Sequence, residues 1–362
     1  MSCGNVPRHL SRFARHSLMN PDSRLVELQG WLTSQFRQLR ASPQFSLAPA
    51  SEDASFRRYF RVTFADARDS LVVMDAPPEK ENCRPFLHVA QLLEGAGVHV
   101  PKVHASNLAQ GFLLLEDLGA STYLERLNEG DARSTAAAGL YLAAIDTLVA
   151  IQLASTPTEL PPYDDALLRR ELHLFPDWYV ARHLRVELAP NEAEVLAKAF
   201  ELVLANNLAQ PRVYVHRDYH SRNLMACNPL PGVLDFQDAV YGPITYDLAS
   251  LLKDAYVSWE EDRVIDWCVR YWEKARKAGL PVPADFSAFY RDFEWMGVQR
   301  HLKVAGIFAR LFHRDGKERY LADLPLVLEY LQRACARYRE LGPLAGLLDH
   351  LHERDLTTGY TF

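Results

Sequence analysis

The sequence predicts an α+β protein of two lobes, a small strand-rich N-terminal lobe and a large, mostly helical C-terminal lobe. Three observations carry that prediction. Runs rich in β-branched and aromatic residues, bounded by turn residues, crowd the chain before residue 117. Apolar residues at helical spacing dominate it beyond residue 118. Within that helical half, one island of short strands surrounds a polar loop of eight residues, 216–223.

Taken in order, the opening stretch MSCGNVPRHLSRFARHSLMN is arginine-containing, has no acid and lacks the apolar core of a secretory signal. We expect residues 1–22 to be a disordered extension. Asp22 or Ser23 is placed to cap a helix in which Leu25, Leu28, Trp31, Leu32, Phe36 and Leu39 share a face. Strands follow in SFRRYFRVTF (55–64), SLVVMDA (70–76), PKVHA (101–105) and GFLLLEDL (111–118), with a helix over 83–94 that stops at the glycines of EGAGV. Residues 23–117 thus read as one lobe with a crossing helix, and 118–362 as the other. Helices are expected over 133–153, 164–185, 191–207, 244–256, 259–278, 285–313 and 318–340, with short strands at 213–215 and 232–234.

Bulk properties remove several function classes. The chain has 362 residues, ample for a buried core, and a net charge of -6, which argues against a nucleic-acid or acidic-membrane binder. Five scattered cysteines without a CxxC pair argue against a disulfide framework or a zinc site and suit a reducing compartment. No apolar run approaches the roughly 20 residues of a membrane span.

The informative stretch is VYVHRDYHSRNLM, residues 213–225. A strand-like run ends in His216, Arg217, Asp218, Tyr219, His220, Ser221, Arg222 and Asn223, and the chain turns apolar again at Leu224. Further on, PGVLDFQDAVYGP places Asp235 behind a second short strand. Two strand ends that each deliver an acid can gather Asp218, Asn223 and Asp235 around one small volume. Phosphoryl transfer from ATP asks for that set: a carboxylate to position the attacking hydroxyl, and oxygen ligands for Mg²⁺. Asp218 suits the first task, Asn223 and Asp235 the second. The His-x-Asp-x-x-x-x-Asn spacing and the later Asp-Phe pair match a kinase catalytic loop and its magnesium-binding partner.

HRDYHSRNL followed by VLDFQDAVYGPITYDLASL resembles the aminoglycoside phosphotransferase branch of the protein-kinase-like fold. The resemblance implies a bilobal kinase-like architecture, ATP and Mg²⁺ as cofactors, and Asp247 as a brace for the catalytic loop. Within the branch, DASFRRYFRV, FPDWYVARHL and QRHLKVAGIFARL are most similar to the bacterial anomeric kinases of N-acetylmuramate and N-acetylglucosamine. That similarity implies an enzyme phosphorylating the C1 hydroxyl of a small amino sugar in peptidoglycan recycling; the cysteine usage and the lack of a membrane span lead us to expect a cytoplasmic protein, and no obligate protein partner is indicated. Two alternatives stay open: a kinase for an aminoglycoside, choline or homoserine, and a catalytically silent nucleotide-binding protein.

The second alternative arises where the pattern departs from a typical kinase. SEDASFRRYFRV has no glycine, so Ser51 and Ser55 stand in as small phosphate-facing residues. Met74 or Asp75 occupies the place expected for the phosphate-binding lysine, and the crossing helix has no acid before Glu94. Arg57, Arg58 and Arg61 are candidates to supply the missing cation. Strand alternation separates Arg58 from the other two, and the sequence does not choose a face. By the resemblance, backbone groups at Glu116–Leu118 hold adenine.

The acceptor side is basic. From Trp295 to Arg314 there is no acid, and Arg300, Lys303, Arg310 and Arg314 fall within about an 80° arc of a helix. One reading is a solvated basic face. The other is that Arg300 and Lys303 line the acceptor cleft and meet an anion such as the lactyl carboxylate of N-acetylmuramate. Trp178, Tyr179 and Trp295 are either sugar-stacking aromatics or core. His220 and Arg222 complete the candidate substrate contacts, and His216 reads as a scaffold residue.

Overall fold

The computed structural model of the protein describes residues 22–39, 44–51, 56–65, 69–129 and 135–358. The expectation for residues 1–21 lies outside them. The chain divides into two compact units, Met1–Glu81 with His104–Leu114, and Asn82–Val103 with Leu115–Phe362.

In the first unit, helix α1 (Ser23–Leu39) covers one face of a sheet built from β1 (Phe45–Ser51), β2 (Arg58–Phe64), β3 (Ser70–Asp75), β4 (Val103–Asn107) and β5 (Phe112–Glu116). The sheet order is β1-β2-β3-β5-β4. Leu28, Leu32 and Phe36 of α1 form the core with Val62, Phe64, Val73, Phe112 and Leu114. The aromatic ring of Phe36 meets Phe64 edge-on at 4.9 Å. Strand β1 was not anticipated, because FSLAPAS carries a proline; it survives as an edge strand with an irregular register between Pro49 and Ser51.

Asp75 lies on the α1 face of β3 and is fully buried. Arg24 of α1 and Arg58, its cross-strand partner in the β2–β3 register, both form ion pairs with it. Arg58 also reaches Asp22. Two guanidinium groups therefore neutralise the carboxylate beneath the start of α1, which is how a buried acid is tolerated.

Helix α2 (Arg84–Gly95) belongs to the second unit, not to the lobe in which sequence spacing places it. Its buried face, Phe86, Val89, Ala90 and Leu93, explains the assignment. The Phe86 ring lies 4.8 Å from that of Phe236, and Val89 and Leu93 line a small cavity with Ile151, Leu160, Tyr214 and Val215.

The second unit continues with α3 (Tyr123–Asn128), α4 (Thr135–Leu153), α5 (Asp165–Leu172), a π-helix over Phe175–Leu184, and α6 (Pro190–Ala209). Four short strands follow, β6 (Arg212–Val215), β7 (Leu224–Met225), β8 (Gly232–Val233) and β9 (Val240–Pro243). Then come α7 (Tyr246–Leu252), α8 (Glu261–Lys277), α9 (Phe286–Asp315), α10 (Leu324–Arg337) and α11 (Gly342–Thr358). The single helix expected over 164–185 is two, α5 and the π-helix, which carries Pro176 in its first turn where a missing donor is tolerated. Helix α9 runs close to this junction. A Cβ on Gly306 would stand 2.3 Å from the Leu174 carbonyl, so only glycine permits the approach. The helix expected over 318–340 likewise splits, a 3₁₀ turn over Glu318–Asp323 preceding α10, whose first turn carries a proline.

Candidate active site

The four short strands nest as two antiparallel pairs. β6 pairs with β9, ending at Val215 opposite Val240, and β7 pairs with β8, with Leu224 opposite Val233. Only two connections link the outer pair to the inner one, residues 216–223 and 234–239, and the nesting lays them side by side. Hydrogen bonds stitch them together: the Leu234 amide donates to the Asn223 carbonyl at 2.9 Å, and His216 Nε2 lies 2.9 Å from the Leu234 carbonyl. His216 Nδ1 faces the Asp218 amide at 3.3 Å, so the tautomer protonated on Nε2 satisfies both contacts and makes this ring a brace.

That stitching brings Asn223 and Asp235 together. Asn223 Nδ2 donates to the Asp218 carbonyl at 2.9 Å and lies 3.5 Å from Asp235 Oδ2. Gln237 Nε2 donates to Asp235 Oδ1 at 2.9 Å. Because the Asn223 amide nitrogen is spent on the loop, its oxygen is left for another donor or cation. An amide oxygen and a carboxylate are hard, oxygen-only donors of the kind that fits Mg²⁺ when phosphate oxygens and water complete the shell.

The polar loop is anchored from α7 and the residues just after it. Both carboxylate oxygens of Asp247, near the start of α7, accept loop amides: Oδ2 from His216 at 2.6 Å and Oδ1 from Arg217 at 3.0 Å. Asp254, two residues past the end of α7, accepts the Ser221 amide at 3.0 Å and its own chain's Tyr256 amide at 3.1 Å. Asp254 was missed by the sequence reading, since it lies beyond the end of α7 and shares no motif with the loop it anchors. Burial pushes the Asp247 carboxyl up to about 6 despite the His216 ring and the two amides that favour its ionised form. Two non-glycine residues here have left-handed backbone, Arg217 at φ 79° and Asp235 at φ 61°, costing about 1–3 kcal/mol each. The strain sits on either side of the Asp218–Asn223 segment, where the anchors hold it.

Around Asp218 the charges are specific. Glu171 of α5 is buried and takes ion pairs from Arg217 and from Lys303, the latter at 3.1 Å, while the Tyr163 hydroxyl donates to its other oxygen. Lys303 also donates to the Tyr246 hydroxyl at 3.0 Å. Burial opposes ionisation of Asp218, but Lys303, His220, Arg300 and Arg217 outweigh it and hold the carboxyl down at about 2. Burial keeps His220 itself below the ordinary histidine range, so at neutral pH the cations that act on Asp218 are Lys303, Arg300 and Arg217.

The basic stripe of α9 is therefore not a solvated face over its first half. Arg300 is 2% and Lys303 5% exposed, and α9 is buried on every side from Phe293 to Gly306. Lys303 is committed to Glu171, whereas Arg314 is exposed and pairs with the neighbouring Asp315. Arg222 lies 3.7 Å from the centre of the Tyr256 ring and 3.7 Å from Asp323. Tyr256, whose ring also meets His220 edge-on at 5.5 Å, carries no spacing signal and was missed. Tyr179 and Trp295 are core residues, and Trp178 is half-buried.

The first unit's candidates separate by face. Arg58 shares the α1 face with Phe60, Val62 and Phe64 and is engaged by Asp75 and Asp22, which corrects its expected role in nucleotide binding. Strand alternation places Arg61 on the other face, together with Met74 of β3; Arg57 precedes β2. Ser55 lies outside the described residues, and Ser51 is described only by its backbone at the end of β1. In the second unit Glu116 ends β5 with its amide on the Lys102 carbonyl at 2.9 Å, Leu118 is buried, and Gly119 at φ 93° turns the chain into α3. Among the described residues no helix is long and apolar enough to cross a membrane.

The chain is similar to known proteins over nearly all of its length. The profile of the family described as "Phosphotransferase enzyme family" matches residues 46–286. A Pseudomonas aeruginosa protein named N-acetylmuramate/N-acetylglucosamine kinase is 54% identical over 342 residues, covering 92% of this chain and 98% of its own. One of the same name from Neisseria meningitidis is 50% identical, covering 94% of this chain and 99% of its own. Among solved structures, a choline kinase from Cryptosporidium parvum superposes with a TM-score of 0.60 over 90% of this chain and 99% of its own, at 10% identity, a likeness of fold alone.

Proposed function

Since the chain belongs to the phosphotransferase enzyme family, we propose that it transfers the γ-phosphoryl group of ATP to the anomeric C1 hydroxyl of N-acetylmuramate and N-acetylglucosamine. The observation that carries this reading is the nested strand pairing, which puts Asn223 3.5 Å from Asp235 and ties both to the Asp218 loop. The names of the relatives supply the acceptor, and peptidoglycan recycling is the process such a reaction serves.

Asn223 and Asp235 would hold Mg²⁺, which supplies neutralisation of phosphate charge when bound. Asp218 orients the acceptor hydroxyl and takes its proton. With its carboxyl held near 2 it is a weak base, so its contribution is chiefly placement, with proton transfer late in a loose transition state. An anomeric hydroxyl, more acidic than an ordinary alcohol, suits such a base. Lys303 and Arg217 keep Asp218 ionised and are themselves balanced by Glu171. His220 and Arg222 belong to the acceptor side. Backbone groups from Glu116 to Leu118 are assigned to adenine, and Arg57 and Arg61 to phosphate. An ATP-dependent reaction and the absence of disulfides among Cys83, Cys227, Cys268 and Cys335 suit the cytoplasm.

Phosphorus NMR of the product tests the reading. Incubation with ATP, Mg²⁺ and either amino sugar is expected to give a sugar 1-phosphate. A 6-phosphate, or no transfer to either sugar alongside rapid turnover of kanamycin or choline, overturns it.

A further inference from the structure

The charges that line the polar loop balance with one exception. Lys303 and Arg217 share Glu171, Arg222 pairs with Asp323 across the Tyr256 ring, and the Asp254 oxygens are occupied by the Ser221 and Tyr256 amides. Arg300 is left over. It is 2% exposed, its Nη1 finds no hydrogen-bond partner, and no carboxylate is in ion-pair contact with it among the described residues. Its charge acts on Asp218, His220 and Tyr256. A guanidinium does not lose its proton in a protein, so burial cannot be relieved by neutralisation, and an unpaired buried cation is costly. A second orphan adjoins it: His220, 9% exposed, has no partner for Nδ1 among the described residues. Two buried groups with unfilled bonding capacity, one a fixed cation, make a receptor for an anion that arrives with the substrate.

We propose that Arg300, assisted by His220 Nδ1, receives the carboxylate of the lactyl ether on N-acetylmuramate and thereby sets a preference for that sugar over N-acetylglucosamine. The inference rests on the reading above and assigns a specificity residue within it. The two sugars differ at this substituent, a carboxylate-bearing ether in one and a neutral hydroxyl in the other. Without Arg300, the sugar carboxylate would enter beside the ionised Asp218 and be repelled. Two other members of the basic stripe are already committed, Lys303 to Glu171 and Arg314 to Asp315.

The test compares kcat/KM for the two sugars in wild type, Arg300→Gln and Arg300→Lys. The ratio for N-acetylmuramate over N-acetylglucosamine should fall roughly 10- to 150-fold in Arg300→Gln, the range expected for one charge-assisted hydrogen-bonded contact, with partial recovery in Arg300→Lys. An equal loss on both sugars would assign Arg300 to the transferred phosphoryl group or to folding, and an unchanged ratio would leave it no role in recognition; either overturns the proposal. A second measurement needs no variant: the carboxamide of N-acetylmuramate should lose a similar factor with the wild-type enzyme, and equal turnover of acid and amide would refute the contact. Failure of the wild type to phosphorylate either sugar is a distinct result that overturns the functional reading itself.

Discussion

Asp75 in the first unit and Arg300 in the second are both buried charges, and they are treated in opposite ways. Asp75 is held by two arginines from different elements and has nothing left to offer a ligand. Among the described residues Arg300 has no partner at Nη1, and its charge acts on Asp218. The first arrangement is what stability alone would select, since breaking a buried pair costs more than forming it gains. The second is the arrangement that the proposed anion contact would complete. Burial by itself therefore does not separate structural from functional charge; the state of the partner list does.

That contrast can be broken or sharpened by experiment, beginning with the largest effect. Asp218→Asn should lower kcat roughly 10²–10⁴-fold, the range for a positioned general base, read as ADP release with either amino sugar. A loss smaller than tenfold would place the chemistry elsewhere. Asn223→Ala or Asp235→Asn should raise the Mg²⁺ concentration for half-maximal rate by roughly 10- to 150-fold, and chelation of Mg²⁺ should abolish wild-type turnover. An Mg²⁺ titration identical to wild type in both variants would contradict the shared metal site.

The pH dependence is a third test. Asp218 stays ionised down to about 2, so it cannot produce an acid limb in kcat near neutrality. Asp247 can, because its carboxyl lies at about 6 and its ionised form accepts the His216 and Arg217 amides. The rate should fall about tenfold per pH unit below 6, and Asp247→Asn should remove the limb at a lower plateau. The stability effect has the other sign. The folded value lies above the unfolded 3.8, so between about 4 and 6 the native state binds a proton that the unfolded state lacks. This residue's contribution to stability is then greatest in acid and declines as pH rises through 6. Activity and stability moving in opposite directions across that window is the signature; an acid limb that persists in Asp247→Asn would refute it. The smallest effect on turnover belongs to the first unit. Asp75→Asn should cost about 1–3 kcal/mol in urea unfolding with kcat changed less than twofold, because Arg24 and Arg58 are partly exposed and can rehydrate. A kinetic defect as large as that of Asp218→Asn would erase the distinction between the two charges.

Much of the architecture was legible because it follows from local pattern. Strands β2, β3, β5 and β6, and helices α1, α2, α4, α6, α8 and α9, lie close to their expected ranges, since period and turn residues are local signals. The meeting of Asn223 with Asp235 and the Asp218 carbonyl was legible for another reason: Asp218, Asn223 and Asp235 keep a spacing that a kinase-type loop requires. What stayed hidden depended on partners distant in sequence. A cationic arc on α9 looks the same whether it faces water or Glu171, and only the packing of α5, α7, α10 and the π-helix around it shows that Arg300 and Lys303 are buried. The face of Arg58 was undecidable until β2 was paired with β3. Helix α2 was assigned to the wrong unit because sequence adjacency says nothing about where Phe86 packs.

One consequence of the loop's anchorage concerns motion. The carboxylates that hold its two ends, Asp247 and Asp254, belong to one short stretch of chain, α7 and the two residues that follow it. A displacement of that segment carries both ends equally, so the span from Asp218 to Asn223 travels as a rigid passenger and is neither stretched nor sheared. Had the two anchors come from separate helices, every breathing movement between those helices would have altered the spacing between Asp218 and Asn223.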